Sequence, residues 1–195
     1  RRNRSIIMHK KLFLVFPGQG SQHSFMLSKN NLLSYAESSS NKIALDCLSE
    51  LISEDALSLI ESDDDRINQT SITQPILLFV SYLHYLKLME VHPNIVIDSM
   101  SGHSLGEYTA LVCASALDIC DALKLVRSRG KLMEKAENGS MSAILGMDTQ
   151  EVINICKNIS NQSAGVVNAA NLNSPLQTVI SGNTVEIELA EESCK

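Results

Sequence analysis

A short β-branched run, Ile95 to Ile97, leads into Ser101-Gly102-His103-Ser104-Leu105-Gly106, and a helix-compatible stretch from Tyr108 to Ala116 follows. The order is strand, sharp turn, helix. A G-x-S-x-G string in that setting puts Ser104 on a strained backbone where larger neighbours would clash, and leaves its Oγ exposed at a helix N-terminus. The bland alternative is a glycine-bracketed turn with an idle serine, and the strand-turn-helix context argues against it.

The rest of the chain fits an α/β protein. Lys11 to Phe16 reads as a charged lead-in and a continuous apolar run, the pattern of a strand buried on both faces of a parallel sheet. Pro17-Gly18-Gln19-Gly20-Ser21-Gln22 breaks it with a tight loop at the strand end, where ligands of such sheets gather. Helical spacing runs from Leu32 to Ile60, and Asp63-Asp64-Asp65 closes it as a solvated turn. Thr73-Gln74-Pro75 predicts a helix start with proline in the first turn, the helix running to Glu90 before His92-Pro93. A further helix is expected from Asp118 to about Ala136, then a linker at Asn138-Gly139-Ser140. The tail reads β-α-β-β-α: Ser142 to Met147, Gln150 to about Ile159, Gly165 to Ala170, Thr178 to Ser181, and a helix from Thr184. A split β-α-β of the ferredoxin-like kind needs one more strand.

Composition narrows the function. The chain has 195 residues, 44% of them hydrophobic and 19% charged, enough for one sizeable core or one core plus an appendage. Sixteen Lys and Arg against 22 Asp and Glu leave a net charge of −6, a poor match for a phosphate backbone, so nucleic acid is excluded as an expected partner. No apolar run approaches the ~20 residues that cross a bilayer. Five cysteines lie scattered without a C-x-x-C pair, which predicts reduced thiols and a cytoplasmic protein rather than a disulfide framework. Histidines are sparse and lack zinc-ligand spacing, so no metal is expected. Residues 1–7 are basic but no signal peptide follows them; Met8 is the expected natural start, and 1–7 a non-native or disordered leader.

Acyl transfer at Ser104 needs donors for an oxyanion. The backbone N–H of Leu105 supplies one by geometry, and the loop Gly18-Gln19-Gly20 is the obvious source of a second. Arg129 falls on the apolar arc of the helix from Asp118, together with Leu125, Leu132 and Met133. A guanidinium there must meet an anion: an internal carboxylate or a ligand carboxylate held bidentately. Arg127, on the polar arc, is expected to be solvated. The general base is missing: His9, His23, His84, His92 and His103 all precede Ser104, whereas this fold normally places its histidine after the nucleophile. His103 adjoins Ser104, where neighbouring side chains diverge, and His23 reads as a solvent-facing loop residue.

Five segments then carry a resemblance: Phe16-Pro17-Gly18-Gln19-Gly20-Ser21-Gln22, Thr73-Gln74-Pro75, Gly102-His103-Ser104-Leu105-Gly106-Glu107-Tyr108, Arg129-Gly130-Lys131-Leu132-Met133 and Asn173-Ser174-Pro175-Leu176-Gln177-Thr178-Val179-Ile180-Ser181-Gly182. In this order they resemble malonyl-CoA:acyl carrier protein transacylase of type II fatty acid synthesis. The resemblance covers Lys11 onward and lacks about the family's final third, including its catalytic histidine. It implies an α/β-hydrolase-like large domain (8–137, partial) with an inserted, incomplete ferredoxin-like domain (138–195). Residue by residue it implies Ser104 as nucleophile, Gln19 and Leu105 as oxyanion-hole N–H donors, and Arg129 as clamp for the malonyl carboxylate. Phe25 stands where the family commonly has glycine. The implied chemistry is ping-pong: Ser104 takes the malonyl group from malonyl-CoA and passes it to the phosphopantetheine thiol of acyl carrier protein, without cofactor, in a monomer. Lacking the histidine, the 195 residues are expected to transfer malonyl extremely slowly.

Three other readings compete. A serine esterase or thioesterase shares G-x-S-x-G, but Gln19 and Arg129 argue against it. A polyketide synthase acyltransferase domain is another; the short leader before Met8 argues for a free-standing enzyme, and flanking ketosynthase sequence would settle it. A non-catalytic remnant of a split gene fits the absent base.

Overall fold

The computed structural model describes residues 11–135 and 139–195, which fall into two compact units dividing after Lys135. The expected leader at 1–7 and start at Met8 lie outside the described residues. The protein is α/β. No helix among the described residues is long and apolar enough to cross a membrane.

In the first unit, β1 (Lys11–Phe16) pairs in parallel with β2 (Val96–Gly102), Phe16 opposite Gly102. The strand is where the apolar run put it, but it is not buried on both faces. Phe13 and Val15 are 61% and 66% exposed. Among the described residues the sheet has two strands, and its covered face is the one carrying Phe16, which packs with Ala110 and Cys113. A groove of about 610 Å³ runs along β2 beside Glu107 and Leu111.

Helices build the core of this unit. The stretch expected to be helical from Leu32 divides into α2 (Leu33–Ala36), α3 (Lys42–Ile52) and α4 (Ala56–Ile60), with α1 (Met26–Lys29) before them. Ser53 ends α3 in the left-handed conformation, and Asp55 caps α4 by accepting from Leu57 N–H. The acidic turn has more structure than simple solvation: Asp64 caps a 3-10 turn (Asp65–Asn68) and holds Arg66.

The long helix α5 (Thr70–Val91) begins one turn before the proline signal, so Pro75 lies inside it. Proline cannot donate to the carbonyl four residues back. The helix start is held by other contacts: Glu134 Oε1 accepts from Ser71 N–H at 2.7 Å, and Thr73 Oγ1 donates to the Ile67 carbonyl at 2.6 Å. From Ser71 through Val80 every residue of α5 is buried. Its apolar side chains in this stretch contribute roughly 1.5–3 kcal/mol each on leaving water.

α6 (Leu105–Cys113) follows the turn at Ser104, and α7 (Ile119–Glu134) is capped by Asp118, which accepts from Cys120 and Asp121 N–H. α7 buries Ala122, Leu123, Val126 and Gly130. A Cβ on Gly130 would lie 2.5 Å from Ser71 Cα, so glycine sets how closely α7 approaches α5. The expected apolar arc is narrower than the sequence suggests, since Leu125, Leu132 and Met133 are exposed. Arg127 is also not simply solvated: its Nε and Nη1 are buried without a hydrogen-bond partner among the described residues. The reduced-thiol expectation meets a second correction, because Cys47 on α3 and Cys120 on α7 are disulfide-bonded, with Cα atoms 5.9 Å apart.

The second unit has the expected β-α-β-β-α order: β3 (Gly139–Leu145), α8 (Thr149–Gln162), β4 (Val167–Ser174), β5 (Gln177–Asn183) and α9 (Thr184–Ser193). Its antiparallel sheet runs β3-β5-β4. Gly139 and Ser140, expected in a linker, already pair with β5, opposite Asn183 and Gly182; Asn138 lies outside the described residues. Ile144, Val152, Cys156, Val167, Ile180 and Ile187 belong to a core of their own.

Candidate active site

Ser104 holds φ 52° and ψ −103°, a backbone region that L side chains rarely occupy, between the last residue of β2 and the first turn of α6. Such strain is of order 1–3 kcal/mol and persists only where the surroundings impose it. Here they do. A Cβ on Gly102 would collide with the Gly106 carbonyl group, and one on Gly106 with the carbonyl of Phe16. The two glycines therefore let the turn close directly over the end of β1. His103 N–H donates to the Phe16 carbonyl at 3.1 Å, and Gly106 N–H to the His103 carbonyl at 2.9 Å. The result is a nucleophile-elbow geometry with Ser104 exposed.

The loop after β1 lies beside this turn, since a Cβ on Gly18 would sit 2.8 Å from the His103 carbonyl oxygen. Side chains fix the loop from the other side. Gln19 Nε2 donates to Thr70 Oγ1 at 3.1 Å, Gln22 Nε2 to Asn68 Oδ1 at 3.0 Å, and Gly20 N–H to Gln22 Oε1 at 2.8 Å. Leu105 is the first residue of α6, in the turn whose N–H groups lack partners within the helix.

Arg129 reaches the elbow. Its Nη2 donates to Ser104 Oγ at 2.9 Å and its Nη1 to Gln74 Oε1 at 2.7 Å, with the guanidinium 5.8 Å from the centre of the Tyr108 ring. Among the described residues no carboxylate forms an ion pair with it. Of the two anions open to it in the sequence, the internal one is not found among the described residues. Its two hydrogen-bond partners are neutral, so neither of them cancels the positive charge beside Ser104.

Two histidines of the described residues belong to the loop and the turn that form the site. His23 is exposed, with Nδ1 3.1 Å from the Ser24 carbonyl oxygen. His103 lies next to Ser104 in the turn, exposed, with its ring against Gly18.

Gln74 and Tyr108 are the site residues that sequence reasoning missed as such. Gln74 appeared as part of a helix-start signal and of a resemblance segment, in neither case with a role at the site. Its detectable sign was an amide embedded in an otherwise apolar stretch of helix, since a fully buried amide must have partners. Its Nε2 faces Met133 Sδ at 3.2 Å.

The site is thus a serine on a strand-turn-helix elbow of an α/β protein, with a guanidinium hydrogen-bonded to it. The sequence profile described as "Acyl transferase domain" matches residues 13–194, and the chain belongs to that family. It is 42% identical over 190 residues to malonyl CoA-acyl carrier protein transacylase of Haemophilus influenzae, covering 95% of this chain and 59% of that protein. Among solved structures, the malonyl CoA-acyl carrier protein transacylase of Coxiella burnetii superposes with a TM-score of 0.83 at 37% identity, covering 97% of this chain and 59% of that one. A malonyl-transacylase in complex with its type II polyketide acyl-carrier protein matches with a TM-score of 0.81 at 33% identity over 95% and 58% of the respective chains. The chain thus spans somewhat under three-fifths of the length of these relatives.

Proposed function

We propose that this chain carries the acyl-accepting machinery of a malonyl-CoA:acyl carrier protein transacylase, acting as a monomer in the cytoplasm in fatty acid or polyketide synthesis. The observation that carries the reading is the Arg129 guanidinium, hydrogen-bonded to Ser104 Oγ and lacking a carboxylate partner among the described residues. A malonyl thioester brings that carboxylate together with a carbonyl carbon a short distance away. Bidentate binding to Arg129 would set the carbonyl at Ser104.

Ser104 Oγ attacks the thioester carbonyl. The tetrahedral oxyanion is stabilised by the backbone N–H groups of Leu105 and Gln19, and the CoA thiol leaves. The phosphopantetheine thiol of acyl carrier protein then takes the malonyl group by the reverse steps. The names of the Haemophilus and Coxiella relatives, and the carrier-protein complex, support these two substrates. No metal or redox cofactor enters these steps. We read residues 8–137 as part of an α/β-hydrolase-like domain and 138–195 as part of a ferredoxin-like one.

No histidine follows Ser104 in the 195 residues, so within them deprotonation of Oγ lacks the usual acceptor and the 195-residue polypeptide turns over slowly. Incubation with malonyl-CoA followed by intact mass measurement tests the reading. Slow malonylation that disappears in Ser104→Ala and falls in Arg129→Ala is expected. Fast transfer to acyl carrier protein by the 195 residues would overturn the slow-turnover part. Hydrolysis of neutral esters indifferent to Arg129 would favour an esterase, and failure of a fluorophosphonate probe to label Ser104 a non-catalytic remnant.

A further inference from the structure

We infer that Cys47 and Cys120 form a reversible thiol–disulfide site that staples α7 to α3, and that both redox states are folded. The two residues are 73 apart in sequence and on different helices, yet their Cα atoms are 5.9 Å apart, within the range a disulfide spans without backbone movement. Both are partly buried rather than sealed, so a small disulfide oxidant or dithiol reductant can reach them.

The core does not depend on the bond. Ala44, Leu48 and Ile52 of α3, and Ala122, Leu123 and Val126 of α7, are buried in one common cluster, which remains when the link is reduced. Asp118 still caps α7, and Gly130 still packs on Ser71. Reduction therefore releases a cross-link without removing packed surface.

The remaining cysteines are poor competitors. Cys113 is 5% exposed and Cys156 2%, while burial pushes their thiols, and that of Cys194, above the ordinary range. The thiolate is the form that exchanges.

With oxidised glutathione as oxidant, one thiolate attacks its disulfide, releasing one glutathione thiol and leaving a mixed disulfide. The second thiolate displaces the other glutathione. Two thiols become one disulfide, two protons leave them, and both electrons end on two glutathione thiols.

The experiment treats the full chain with oxidised glutathione, blocks free thiols with a maleimide under denaturing conditions, and maps peptides without reduction. The expected result is three alkylated thiols out of five and a single Cys47–Cys120 peptide, reversed by dithiothreitol. Because the bond closes a long loop, the thermal midpoint should rise by about 5–10 °C on oxidation. Cys120→Ser should lose that rise and retain one glutathione on Cys47. Five alkylated thiols after oxidation, a different cross-linked pair, or a reduced chain that is unfolded would each overturn the inference. The wild-type peptide map decides even if the variant fails to fold.

Discussion

Gln74 Oε1 accepts a hydrogen bond from Arg129 Nη1 at 2.7 Å, and solvent does not reach the Gln74 side chain. The amide holds one arm of the guanidinium while the other points at Ser104. Replacing it with leucine removes the acceptor and leaves Arg129 less well oriented. Malonyl-CoA should then acylate Ser104 with a KM raised about tenfold, equivalent to a charged hydrogen bond of about 1.5 kcal/mol. Gln74→Glu should be worse, because a carboxylate there occupies the cation. Acylation rate against malonyl-CoA concentration measures both.

Arg129 itself should discriminate between substrates rather than set the chemistry. Arg129→Ala is expected to slow acylation by malonyl-CoA about a hundredfold, about 2.7 kcal/mol, while leaving acylation by acetyl-CoA within a few-fold. Arg129→Lys should recover only part of the loss, since an ammonium cannot hold a carboxylate through a planar fork. Competition between the two thioesters, read by intact mass, reports the ratio directly.

The elbow depends on the missing side chain at residue 106. Gly106→Ala puts a Cβ into the Phe16 carbonyl, and backbone cannot move aside as a flexible side chain can. A loss of about 2–4 kcal/mol in folding stability is expected from urea unfolding, with Ser104 no longer labelled by a fluorophosphonate.

Phe25 holds φ 61° and ψ 36°, the left-handed conformation that glycine adopts without cost. Its N–H donates to the Ile60 carbonyl, and Lys29 lies 5.5 Å from the ring centre. Phe25→Gly should remain within about 0.5 kcal/mol of the parent, relief of strain offsetting lost contact and greater unfolded entropy. Phe25→Val, β-branched at the same φ, should lose about 1–2 kcal/mol. Thermal unfolding of the pair separates backbone strain from side-chain packing.

Burial pushes the Cys113 thiol from its ordinary value near 9 up to about 12. The unfolded chain releases this proton above pH 9 while the folded one keeps it, so this group leaves stability unchanged at neutral pH. It then weakens the fold by up to about 1.4 kcal/mol per pH unit between pH 9 and 12. Cys113→Ala should flatten that part of the stability–pH curve. In the native protein Cys113 should also resist alkylation at pH 8.

What could be read along the chain was local. The glycine-bracketed serine, the helix that starts at Asp118, the apolar run of β1 and the β-α-β-β-α order each depend on neighbours a few residues away, and each is present. The departures came where distant segments meet. Pro75 falls inside α5, whose extra first turn has its Ser71 N–H satisfied by Glu134, 63 residues later. Arg129 could have met an internal carboxylate or waited for a ligand; only the packing of α7 on α5 brought it to Gln74 and Ser104 instead. The Cys47–Cys120 pair carries no spacing signal at a separation of 73 residues. Backbone strain, capping and alternation are written in short stretches of sequence, whereas the partner of a buried polar group or thiol is whichever residue the folded chain brings within bonding distance.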